Sequence, residues 1–268
     1  MRLPGSSRAL PVKVNCYVNT AVEKSRRILV PFAKGCDAQL LEFNGKVLEG
    51  VSVVWGQVAD SATIIKRCQE LRKPFIQVDN PYYCWGTPGI YRVTWNRMWQ
   101  NYVLKRDGDR FEKFGQSLAP WAAYGDHIVL AAPGLNLCRF LNISQRDWVK
   151  QSLRRLKELT TRPIVVRTKA DGEHTPLAKS LAGAHALVTL NSNAAVEAAQ
   201  TGIPVFCDPG AAAAPVAQVD WALIDHPLYT DRTDWAHSLA YGQFTLAEFE
   251  DGTCWSLINR EDVPKEIL

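Results

Sequence analysis

Residues Leu187–Pro209, LVTLNSNAAVEAAQTGIPVFCDP, decide how this chain is read. Ala186–Leu190 is an apolar run of strand length, and Asn191, Ser192 and Asn193 follow it as a polar turn. An alanine-rich segment then sets Ala194, Ala195, Ala198 and Ala199 on one helical face, a small-residue surface suited to lying close against a sheet. Ser192 or Asn193 stands where a helix is capped, Gly202 and Pro204 supply the stop, and Val205 and Phe206 begin another strand. A strand feeding a helix through such a turn leaves backbone N–H groups and a positive dipole end facing outward, a ready place for a phosphate. Glu197 lies one helical turn deeper, where its carboxylate would accept hydrogen bonds from a ribose. The same residues also fit an ordinary βαβ unit with a capped helix. Locally, both readings stand.

Working outward, Val12–Val18, Ile28–Phe32, Val51–Trp55 and Phe75–Val78 read as strands. Asp60–Leu71 reads as a helix with Ile64, Ile65, Cys68 and Leu71 on its inner face, stopped by Pro74. Asn80–Asn101 is aromatic and broken by Pro and Gly, with a strand near Ile90–Thr94, and Tyr102–Tyr124 is a polar connection. A second series starts at His127–Ala131. It continues through a helix over Gln145–Leu159 capped by Ser144, with Val149, Leu153 and Leu156 as its apolar stripe. A strand over Pro163–Arg167 and a short helix over Pro176–Leu181 lead back to the opening motif. Strands alternating with helices predict an α/β protein with parallel, doubly wound sheets. Two Rossmann-like domains are expected, residues 1–124 and 125–268, facing a central cleft, with one larger sheet as the alternative.

Composition narrows the function classes. The chain has 268 residues, 47% hydrophobic and 22% charged, as expected of a globular protein with a sizeable core. No apolar run approaches the length of a membrane span, and MRLPGSSRALPVK lacks the apolar core of a signal peptide. A cytoplasmic protein without a membrane partner is therefore expected. Seven cysteines without a C-x-x-C pair argue against zinc and against a disulfide framework, and the five histidines show no metal spacing. No metal and no bound cofactor is expected. P-loop and G-x-G-x-x-G dinucleotide patterns are both absent. A net charge of +4 is a mild bias towards anionic partners, far from the dense basic stripe of a dedicated nucleic-acid binder.

The run N-S-N-A-A-V-E-A-x-x-x-G-I-P-V, from Asn191 to Val205, resembles the nucleotide-binding segment of glycosyltransferases built from two Rossmann-like domains, the GT-B architecture. The resemblance is to the branch containing capsule-polysaccharide sugar transferases and phage-encoded relatives. It extends to RPIVVRTK, which ends in Arg167 and Lys169, and to the tail from Trp221 to Trp255, which looks like that of the phage-type relatives. A weaker echo lies in FIQVDNPYYCWGTPGIYRVTWN, with an aspartate before aromatics and a Tyr-Arg strand. The resemblance implies a nucleotide-sugar donor, with Ser192 and Asn193 on its phosphates and Glu197 on its ribose; Asn191, directly after the strand, joins the donor-binding residues by its position. Arg167 and Lys169 would neutralise a departing diphosphate, or stand simply as a solvated pair at a strand end.

Ligands of doubly wound folds bind at the carboxyl ends of strands. On the acceptor side that rule selects Asp79 as the base that takes the hydroxyl proton, with Asp37 second. Asp79 also fits an Asx turn leading into Pro81, and Asp37 also fits a helix cap. Tyr82, Tyr83 and Trp85 would stack on an extruded base if the acceptor is a hydroxymethylated pyrimidine in phage DNA, in a host cytoplasm. A surface glycan is the alternative acceptor, and a non-catalytic nucleotide- or sugar-binding module the alternative class.

Overall fold

The computed structural model describes residues 13–20, 22–84, 86–169 and 176–267. The first sheet runs in the order β2-β1-β3-β4-β5-β10: β1 (Val14–Tyr17), β2 (Gln39–Leu41), β3 (Val51–Trp55), β4 (Phe75–Asp79), β5 (Ile90–Trp95) and β10 (Gln243–Thr245). β1 to β4 pair in parallel, whereas β5 and β10 run antiparallel at one edge. The second sheet is wholly parallel, in the order β7-β6-β8-β9, from β6 (His127–Ala131), β7 (Ile164–Arg167), β8 (Ala184–Thr189) and β9 (Val205–Phe206). Interior strands β1, β3, β4 and β8 are buried along nearly their whole length, as parallel strands covered on both faces must be. The fold is α/β with one mixed and one parallel sheet.

Two helices flank the first sheet in sequence order. α2 (Asp60–Glu70) buries Ile64, Ile65 and Cys68 as its periodicity predicts, but Leu71 lies beyond its end and is 58% exposed. The expected strand over Ile28–Phe32 is instead the middle of α1 (Glu23–Gly35). Ser25, Ile28, Leu29, Phe32 and Ala33 are buried there at helical spacing, a stripe that a five-residue apolar window conceals. α1 also accommodates Pro31 in its interior.

The helices of the second sheet follow its strands closely. α4 (Leu135–Leu141) and α5 (Gln145–Leu159) connect β6 to β7, and α6 (Leu177–Leu181) precedes β8. Ser144 caps α5 by accepting from the Asp147 N–H at 3.2 Å. α7 (Ala194–Gln200) turns its small face inward, with Ala195, Ala198 and Ala199 fully buried. Gly202 ends it at φ 85°, and a Cβ there would overlap the Pro120 carbonyl.

The expected division at residues 124 and 125 does not hold for the tail. α8 (Thr233–Ala240) packs Trp235, Ala236 and Leu239 among Tyr82, Tyr83, Phe111 and the α7 alanines. The chain then returns to the first sheet as β10, pairing Phe244 with Tyr91, and as α9 (Leu246–Glu250) and α10 (Thr253–Ile258). Phe249 of α9 meets Phe32 of α1 edge-on at 5.3 Å, and the Trp95 indole donates to the Ile258 carbonyl at 2.9 Å. Apolar area decides this: the tail's Phe244, Phe249, Cys254 and Ile258 join the apolar cluster that α1 and β5 begin.

Glu248 anchors the return. It closes a capping box with Thr245 and accepts from Arg110 Nη1 of α3 (Asp109–Lys113) at 2.8 Å and from Lys113 at 2.9 Å. Burial pushes its carboxyl up, but the hydrogen bonds from Arg110, Lys113 and Thr245 outweigh it and bring the pKa to about 2, from an ordinary 4.5. A depressed acid stabilises the fold fully above about pH 4.5, and that contribution disappears as pH falls towards 2. Glu248→Gln should therefore cost about 3 kcal/mol in denaturant unfolding near neutrality, because it strands a buried guanidinium. The deficit should shrink as the pH is lowered through that window; a pH-independent deficit would contradict the ion-pair account.

Candidate functional site

The carboxyl ends of the two sheets are tied together. After β4, the carbonyls of Pro81 and Tyr82 accept from Asn193 Nδ2 at 3.3 and 3.0 Å, joining the first sheet's loop to the start of α7. Asn101 Nδ2 donates to the Pro209 carbonyl at 3.2 Å, beyond the end of β9. Asp79 and the motif from Asn191 to Glu197 are thus brought to one place although more than a hundred residues separate them.

On the second-sheet side, Ser192 Oγ accepts from the Ala194 N–H at 3.2 Å, while Asn193 makes no side-chain cap bond. The capping oxygen is therefore Ser192's, and the Asn193 amide serves the contact between the sheets. Asn191 is 8% exposed, and its Oδ1, like Asn193 Oδ1, has no hydrogen-bond partner among the described residues. Glu197 is half-buried, and its carboxylate makes no hydrogen bond or ion pair with a described residue. Burial raises its pKa, with the charge of Arg167 pulling the other way. Arg167, at the end of β7, donates from Nη1 to Ser180 Oγ at 3.1 Å. Lys169 is exposed two residues further on. A carboxylate held without a partner near a guanidinium costs stability, and such unspent polar groups concentrate where ligands bind.

On the first-sheet side, Asp79 is engaged more fully than the sequence suggests. Its Oδ2 accepts from Arg92 Nη2 at 2.9 Å and from Gln77 Nε2 at 3.4 Å, and its Oδ1 from the Asn80 N–H at 2.7 Å. Its side chain keeps 18% exposure, against 2% for Arg92. Arg92 also donates to the Asn80 carbonyl at 2.6 Å and lies 3.7 Å over the Trp99 ring. Arg92 is not among the residues selected from the sequence. The signal was a lone cation inside the strand IYRVTW, which demands a buried carboxylate.

Two expectations are corrected. Asp37 is exposed at φ 51° in the turn from α1 to β2, so it sits where a parallel strand begins, at the edge opposite Asp79. A strand over Ile28–Phe32 would have set Asp37 at a carboxyl end, but those residues are helical, so Asp37 follows α1 instead. Tyr82 and Tyr83 are each 2% exposed and offer no face for a base to stack on. The Tyr83 hydroxyl donates to the Ala236 carbonyl at 3.1 Å, and the Tyr82 hydroxyl accepts from the Gln100 N–H at 2.9 Å. They are core residues between the sheets. Trp85 lies outside the described residues. Among the described residues, no group of three or more His, Cys, Asp or Glu side chains is placed to hold a metal ion.

No protein-family model matches the chain, and no curated protein matches it. Solved structures do. The KpsC beta Kdo 2,7 transferase of Thermosulfurimonas dismutans superposes with a TM-score of 0.52 at 13% identity, over 92% of this chain and 99% of that one. The KpsC beta Kdo 2,4 transferase of the same organism gives 0.50 at 9% identity, over 94% and 99%. At such identities the likeness concerns the fold, and it runs nearly end to end. This chain shares the fold of two glycosyltransferases.

Removing the Asp79 charge should leave Arg92 buried and unpaired, so Asp79→Asn is expected to cost about 3 kcal/mol in chemical unfolding. Glu197→Gln should act in the opposite direction. A carboxyl whose folded pKa is raised holds its proton longer when folded, so its ionisation erodes stability as pH rises above the unfolded value. The variant should be slightly more stable than the parent at pH 7 and equal to it near pH 4. Melting curves of parent and variant that keep the same separation at both values would refute this.

Proposed function

We propose that the chain is a glycosyltransferase that moves a sugar from a nucleotide-activated donor to a hydroxyl group of a glycan, in a cleft between two Rossmann-like units. The observation that carries this reading is Glu197, a half-buried carboxylate with no described partner, near Arg167 at the carboxyl edge of a parallel sheet. That edge is where doubly wound folds take their ligands. Glu197 holds the donor ribose, Asn191 and the Ser192–Asn193 turn approach its phosphates, and Arg167 and Lys169 neutralise charge on the leaving group. The acceptor oxygen attacks the anomeric carbon as the bond to phosphate breaks, and the electron pair leaves on the phosphate oxygen. Asp79, accessible on one side and oriented by Arg92, takes the hydroxyl proton.

A glycan acceptor is favoured over a hydroxymethylated base in DNA for two reasons. The fold is shared with two Kdo transferases, and the tyrosines required to stack an extruded base are packed in the core. A non-catalytic nucleotide-binding module is the second reading, favoured by one observation: both Asp79 oxygens already accept hydrogen bonds.

Incubation with a panel of nucleotide sugars, with and without oligosaccharide or hydroxymethylated DNA, separates these readings. Release of nucleotide that depends on the oligosaccharide is expected; nucleotide binding without release under any condition would establish the binding module. Glu197→Ala should weaken nucleotide-sugar binding by about 1–3 kcal/mol in titration calorimetry. Arg167→Ala should slow transfer more than Lys169→Ala, because a guanidinium grips two phosphate oxygens at once. Equal rates for both variants and the parent would remove the leaving group from that strand end.

A further inference from the structure

We propose that the outer face of α4 and α5 docks the protein onto an anionic lipid bilayer. α5 carries Arg146, Lys150, Arg154 and Lys157, which at about 100° per residue fall on one side of the helix over about 17 Å. All four are exposed, and none enters an ion pair among the described residues. With Val149 and Leu153 they line a shallow groove along the helix. The two carboxylates of α5, Asp147 and Glu158, lie on its flank, roughly 65–85° around the helix from the centre of the basic stripe.

Exposed apolar side chains lie on α4 and on the link that leads into α5. Leu135 is 57% exposed, Leu141 39% and Ile143 37%. Leu137 and Cys138 of α4 are buried, and Phe140 packs against the cluster around α2; at about 100° per residue Leu135 falls outside the arc of the buried pair, while Leu141 is exposed by its place at the end of the helix. The link from α4 to α5 is tight: the Ile143 N–H donates to the Cys138 carbonyl at 3.0 Å, and Gln145 Nε2 to the Pro133 carbonyl at 2.7 Å. Leu141, Ile143 and Arg146 therefore sit within a few residues of one another at a fixed corner. Exposed leucine and isoleucine beside an unpaired basic stripe match a bilayer surface, where cations meet anionic headgroups and apolar side chains enter the acyl boundary. A soluble polyanion would use the charges and leave the apolar side chains in water. No described helix is long and apolar enough to cross a membrane, and the expectation of no membrane partner rested on the absence of an apolar span and of a signal-peptide core. Peripheral docking is a different physical event.

Sedimentation of the full chain with vesicles tests this. Vesicles of phosphatidylcholine mixed with phosphatidylglycerol should bind it, and vesicles of phosphatidylcholine alone should not, with binding weakening as salt is added. Replacing Arg146, Lys150, Arg154 and Lys157 together by Gln should weaken binding about fivefold per cation, at least a hundredfold in all, with an unchanged thermal melt. Exchanging Arg146 and Arg154 for Lys should preserve it. Leu135→Ser with Leu141→Ser should weaken it about tenfold without altering the salt dependence. Failure of the folded parent to bind the anionic vesicles, or undiminished binding by the four-Gln variant, overturns the proposal. So does binding that the serine changes leave untouched and that double-stranded DNA of equal charge competes away, which would make the face a site for soluble polyanions.

Discussion

The Arg92 guanidinium organises the centre of this molecule. It projects from a strand whose alternate residues, Tyr91, Val93 and Trp95, face the core of the first sheet. Its own side is closed by Trp99 and Tyr82, so the charge has no route to water. A buried cation must find an anion and carbonyl oxygens, and Arg92 takes both from Asp79, Asn80 and Met98. The loop after β4 consequently has one shape. Because its Pro81 and Tyr82 carbonyls then receive Asn193, the position of α7 depends on where Arg92 holds that loop.

Small side chains make the second half of this arrangement possible. α7 presents Ala195, Ala198 and Ala199 to the interior, so the helix approaches its neighbours closely, and Gly202 lets the segment at Pro120 pass directly beneath its end. Arg232 bonds the Ala119 carbonyl at 2.5 Å and lies 3.8 Å over Trp121, clamping that segment in place. With both ends of α7 fixed, the Glu197 carboxylate stays half-buried, with the Arg167 charge acting on it. Burial of that carboxylate carries a desolvation cost that hydrogen-bond donors placed beside it would offset.

The tail shows how burial overrides chain order. After α8 the polypeptide leaves the second sheet and finishes on the first, where Phe244 and Phe249 cover apolar surface that α1 and β5 leave bare. The buried Arg110–Glu248 pair secures this crossing at 2.8 Å, joining a helix from the middle of the chain to the last layer. The two sheets are therefore bridged by segments running in both directions, which restricts how far their carboxyl edges can separate.

Local sequence determined the elements whose apolar pattern repeats over a long enough window, and the chemistry of their ends. β3, β4, β6, β8, α2, α5 and α7 lie where periodicity and stop signals put them, and the Ser144 cap was legible as a residue type at a helix start. Where an apolar run was short, as at Ile28–Phe32, strand and helix patterns overlapped, and α1 with the Asp37 turn was misplaced. Only the tertiary structure decided which aromatic rings are surface and which are core. Tyr82 and Tyr83 look like a platform in sequence, yet residues from Phe111 to Leu239 close over them. It alone paired Asp79 with Arg92, returned the tail to the first sheet, and left the Glu197 carboxylate without a hydrogen bond or ion pair among the described residues. Each of these depends on contacts between residues far apart in sequence, where burial and charge compensation, not local propensity, set the energy.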